Sequence, residues 1–71
     1  MTADDIRRFA KADPFRPFII RLSDGREFLV TSARSIWVPP SGMNCVVGES
    51  DGTAVLLDVE SIASLQPREA A

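Results

Sequence analysis

With 71 residues, no histidine and one cysteine, the chain has room for a single domain and lacks the usual staples for it. A disulfide within the chain is excluded, a structural zinc site would have to be almost all carboxylate, and a chain this short buries only roughly 60% of its unfolded surface. Its 45% apolar content excludes a disordered tail, its short apolar runs exclude a membrane-spanning helix, and its net charge of −2 argues against a general phosphate binder.

At the start of the chain Thr2 is an N-cap candidate, with Asp5 in the third place of a capping box and Asp4 beside it at the positive end of the dipole. Ile6, Phe9 and Ala10 follow at helical spacing, while Arg7, Arg8 and Lys11 lie off that stripe. Asp4 can meet Arg8 at i,i+4. Pro14 limits the helix, which is expected over residues 3–12 and must dock through Ile6 and Phe9, since about three turns are marginal alone in water.

Pro14-Phe15-Arg16-Pro17-Phe18 leads stiffly into a first strand in which Phe18, Ile20 and Leu22 alternate with Ile19, Arg21 and Ser23. Asp24-Gly25 is the strongest local signal and predicts a two-residue type I′ hairpin, both of whose central residues need positive φ. A second strand returns over residues 26–31, with Phe28 and Val30 on one face. After Ser32-Ala33-Arg34-Ser35 comes a short strand or strand end at Ile36-Trp37-Val38, closed by Pro39-Pro40 and a Ser41-Gly42 turn. Residues 43–48 make the next strand, Glu49-Ser50-Asp51-Gly52 a second hairpin turn, and residues 53–59 a strand with Val55, Leu57 and Val59 on one face. A single 3₁₀ turn at Glu60-Ser61-Ile62 precedes a last strand at residues 63–66, and residues 67–71 are expected to fray.

The sum is a mainly β domain with an N-terminal α-helix and a β-meander of about five strands over residues 16–66. Two tight hairpins predict a small five-stranded antiparallel SH3-like or Sm-like barrel, or a strongly curled sheet. The alternative is an open four- or five-stranded sheet with the helix across one face.

Two resemblances accompany these residues. Pro14-Phe15-Arg16-Pro17-Phe18, the alternating strand and Leu22-Ser23-Asp24-Gly25-Arg26 resemble a family of small bacterial proteins with a PFRPF-x-I-x-L-x-D-G-R motif, which implies kinship and no activity. The order of elements resembles the bacterial Sm-like RNA chaperone, with Leu22-Ser23-Asp24-Gly25 where that family has an apolar residue and an Asn-Gly turn. Leu56-Leu57-Asp58-Val59-Glu60-Ser61-Ile62 sits where that family carries a Tyr-Lys-His segment for uridine, and Leu, Asp and Val stand in those three positions. The resemblance therefore implies the fold and ring assembly, and undercuts RNA binding at that segment.

No catalytic residues are expected. Without His or Tyr, the serines beside acids (Ser23-Asp24, Ser50-Asp51 and Ser61) lack a base, and turn chemistry accounts for the first two pairs. Glu49, Asp51 and Asp58 fall short of a Ca²⁺ loop, so no metal and no cofactor is expected. Cys45, in an apolar strand beside Val46 and Val47, reads as a small hydrophobe. The four phenylalanines are the expected core, and Trp37 is either a lid on it or a contact residue. Residues 1–38 carry seven basic groups against five acids, and residues 39–71 one against five.

The expectation that follows is a non-enzymatic interaction module, self-associating or bound to another protein, with Trp37, Val38, Pro39, Pro40 and Met43 as the contact loop. The alternative is an Sm-like nucleic-acid binder using Arg7, Arg8, Lys11 and Arg16. An acidic N-terminus with no apolar stretch behind it and a lone thiol place the expected location in the cytoplasm, with no membrane partner.

Overall fold

A computed structural model describes residues 1–68. Its elements in chain order are α1 (Ala3–Ala10), β1 (Phe18–Leu22), β2 (Glu27–Val30), β3 (Ile36–Trp37), β4 (Asn44–Gly48), β5 (Ala54–Asp58) and β6 (Ile62–Pro67), with 3₁₀ turns at Ala33–Ser35 and Val59–Ser61.

The helix begins as the sequence dictates. Asp5 N–H donates to Thr2 Oγ1, and Thr2 N–H and Oγ1–H both donate to Asp5 Oδ2, which completes the capping box. The helix gives out at Ala10, two residues before the expected end, with Lys11 as its C-cap. Asp4 pairs with Arg7 at 3.1 Å, and Arg8 reaches Asp5 at 3.9 Å instead of Asp4. The other end of the Arg7 guanidinium donates to the Pro39 carbonyl at 2.9 Å.

The strands form two three-stranded antiparallel sheets, ordered β2-β1-β6 and β3-β4-β5. This corrects the five-stranded meander. Ile36–Trp37 is a strand of its own in the second sheet, and the last strand crosses back to lie beside the first, with Ile20 opposite Leu65. No closed barrel forms among the described residues. Between β2 and β3 the backbone coils into the Ala33–Ser35 turn, where Ser35 N–H donates to the Ser32 carbonyl and Ser35 Oγ–H to the same oxygen. Backbone groups spent inside a turn are lost to a ladder. The last strand also runs further than expected, through Pro67, and Arg68 N–H donates to the Pro17 carbonyl at 2.9 Å. The remainder of the expected frayed tail, residues 69–71, lies outside the described residues.

The first hairpin corrects the turn type, and the second is built the same way. Only glycines have positive φ among the described residues, so neither Asp24 nor Asp51 can occupy a type I′ position. The loops have three residues, Ser23-Asp24-Gly25 and Ser50-Asp51-Gly52, with glycine third at φ 94° and 90°. Leu22 N–H donates to the Arg26 carbonyl across the first and Glu49 N–H to the Thr53 carbonyl across the second. The deciding groups are the aspartates: Asp24 Oδ1 accepts from Arg26 N–H and Asp51 Oδ1 from Thr53 N–H, each at 3.0 Å. That side-chain bond holds the aspartate at ordinary negative φ and leaves the left-handed turn to glycine.

The core lies between the sheets under the helix. Ile6, Phe18, Ile20, Leu22, Val30, Ile36, Cys45, Val47, Leu57, Val59 and Ile62 are buried. It is more aliphatic than expected, since Phe18 alone of the phenylalanines is fully enclosed. Phe9 and Phe15 pack around its ring at 5.2 and 6.1 Å, because helix and first strand meet at that end and leave room there for rings.

Candidate functional site

Strand alternation decides what the second sheet shows to solvent. Cys45 and Val47 of β4 and Leu57 of β5 point inward, so Val46 and Leu56 point outward. The register sets Trp37 opposite Val46 and Val46 opposite Leu56, making one straight row across three strands. Trp37 is 60% exposed and Leu56 67% exposed, with Val46 half-buried between them. Beside the row stand Gly48 and Ala54 on one side, Asn44 and Asp58 on the other. Trp37 is thus no lid on the core.

The expected contact loop is only partly free. Val38 and Pro39 are half-buried, and the Pro39 carbonyl accepts from Arg7 Nη2 and from Gly42 N–H. Gly42 has φ 70° and passes so close to the helix that a Cβ there would lie 3.0 Å from that of Ala3. The loop is therefore held against α1, at Ala3 and at Arg7. Pro40 is exposed, and Met43 is 68% exposed while its carbonyl accepts from Val59 N–H. Leu56 was not singled out from the sequence. The signal was present, because adjacent leucines in an alternating strand cannot both face inward.

The four cations named for nucleic acid divide between two clefts. Arg7 and Lys11 line one of about 540 Å³ together with Trp37 and Val38. Arg8 and Arg16 line another of about 240 Å³, floored by Phe9, Phe18 and Pro67. Ala12, just past the helix, borders both. Arg21 and Arg26 are engaged on the first hairpin, with Glu27 at 3.0 Å and Asp24 at 2.9 Å. Lys11, Arg16 and Arg34 make no ion pair among the described residues.

Hydrogen bonds tune three carboxyls. The Thr2 backbone N–H holds Asp5 below its ordinary value, the Arg26 N–H does so for Asp24, and the Thr53 hydroxyl leads for Asp51. Burial pushes the Cys45 thiol up, away from the thiolate a nucleophile needs. Among the described residues no three His, Cys, Asp or Glu side chains gather as a metal site, and no helix is long and apolar enough to cross a membrane. No protein-family model, curated protein or solved structure matches the chain.

Proposed function

We propose that this protein is a small non-enzymatic β interaction module that associates with copies of itself through the outer face of its second sheet. One observation carries the reading: the Trp37–Val46–Leu56 row is an apolar stripe on a face that a monomer of this size would ordinarily make polar. Trp is also favoured at interface centres. One further feature supports a copy of the chain as the partner. The core is small and carries no staple, a condition that oligomerisation relieves.

The finer fold belongs to the same proposal. The two sheets read as halves of an Sm-like or SH3-like barrel, opened at the two 3₁₀ turns, and kinship with the small bacterial proteins sharing the PFRPF motif goes with it. Binding to a nucleic-acid strand has less support, because the four cations lie in two clefts and Arg7 is committed to Asp4 and Pro39.

Light scattering across a concentration series tests the reading. The expected result is a mass above that of one chain at high concentration, falling on dilution. A monomer mass throughout contradicts it.

A further inference from the structure

We propose that the cleft beside Trp37 is a binding site for a free mononucleotide, a flat base carrying one phosphate. Its two walls differ in chemistry. One side is lined from the helix by Arg7 and Lys11, the other by the segment that carries Ala33, Trp37 and Val38. Among the described residues no carboxylate lines it, although the chain as a whole is acidic. Lys11 is exposed and has no ion-pair partner among the described residues, so its ammonium is free to meet an anion. Arg7 lines the same wall with its guanidinium engaged by Asp4 and the Pro39 carbonyl, so Lys11 is the group that meets the phosphate. The indole is 60% exposed and offers a face to a base. The cleft is open, with a volume of about 540 Å³. A free nucleotide fits better than a strand, because one aromatic platform faces this cleft and Arg8 and Arg16 lie in the other.

The inference goes beyond self-association and does not rest on it, although both surfaces meet at Trp37. Trp37 is the only tryptophan and the chain has no tyrosine, so emission from the whole protein reports this cleft. The test is a titration with adenosine monophosphate at a dilution where scattering gives one chain, excited beyond the absorption of the base. Saturable quenching is expected, weakened at least ~10-fold by 0.5 M salt or by Lys11→Gln, with circular dichroism unchanged. Adenosine alone and inorganic phosphate alone should each bind at least ~10-fold more weakly, the phosphate being read by competition. The proposal is overturned by quenching that fails to saturate below about 5 mM, or that Lys11→Gln leaves unchanged. A hexa-adenylate that binds tighter than the monophosphate at equal base concentration also overturns it, in favour of a strand.

Discussion

At the scale of single residues, the same tripeptide builds both hairpin turns, and its parts are separable. Gly25 and Gly42 both have positive φ, but a Cβ on Gly25 meets nothing within 4 Å whereas one on Gly42 meets Ala3 at 3.0 Å. Gly25→Ala should therefore cost only the backbone strain, about 1–2 kcal/mol, and Gly42→Ala should cost more, because the helix has to shift as well. Urea unfolding of the two variants checks the order, and equal losses would refute the close approach. The lowered carboxyls of Asp5, Asp24 and Asp51 give a pH dependence with a definite sign. A depressed folded value contributes stability that is complete above the ordinary carboxyl value of 3.8 and is lost as pH falls through the folded values. The urea midpoint should stay level from neutrality down to about pH 4 and decline below it. A midpoint level down to about pH 2 would show that these hydrogen bonds do not matter to the fold.

At the scale of elements, most of what repeats was legible. The Thr2–Asp5 box, the alternation of Phe18, Ile20 and Leu22, and the two glycine turns all stand where their chemistry puts them. Turn type was not legible from Asp-Gly alone, because the aspartate bond to the second residue on selects a three-residue loop. Nor was the partner of β6, because a six-residue strand carries no mark of which distant edge it joins. The helix shows how far an element depends on its docking. Eight residues are too few to persist in water, and Ile6 is its one fully buried side chain. Ile6→Ala should remove about 2–5 kcal/mol, enough to unfold much of a domain this small at 25 °C. Far-ultraviolet circular dichroism and urea melts measure it. A loss under about 1 kcal/mol would mean that the helix is not docked through Ile6.

At the scale of the whole molecule, the candidate surface was half visible in the sequence. Trp37 and Met43 were named from their setting among prolines and glycine, and both are exposed. Leu56 completes the row only through register, which depends on the β4–β5 pairing and not on any local pattern. Val38 and Pro39 belong to the expected contact loop, but that loop is tied to α1 through Arg7 and Gly42, contacts between residues more than thirty positions apart. The clefts at the helix end are likewise products of packing, whereas the split of the cations follows helical spacing, which puts Arg7 and Lys11 on one face and Arg8 off it. The acids of the second half of the chain that make no ion pair among the described residues stand at both ends of β5, Glu49 and Asp51 at the hairpin and Asp58 and Glu60 at the other end.

The central claim is that copies of the chain meet through the Trp37–Val46–Leu56 row. Sedimentation equilibrium of the wild type beside Leu56→Glu tests it most directly, since residue 56 is 67% exposed and the change leaves the core untouched. Wild type should associate, and the variant, with an unchanged dichroism spectrum, should need at least ~10-fold higher concentration to do so. A wild type that stays monomeric at about 1 mM, or a variant that associates equally well, would contradict the claim.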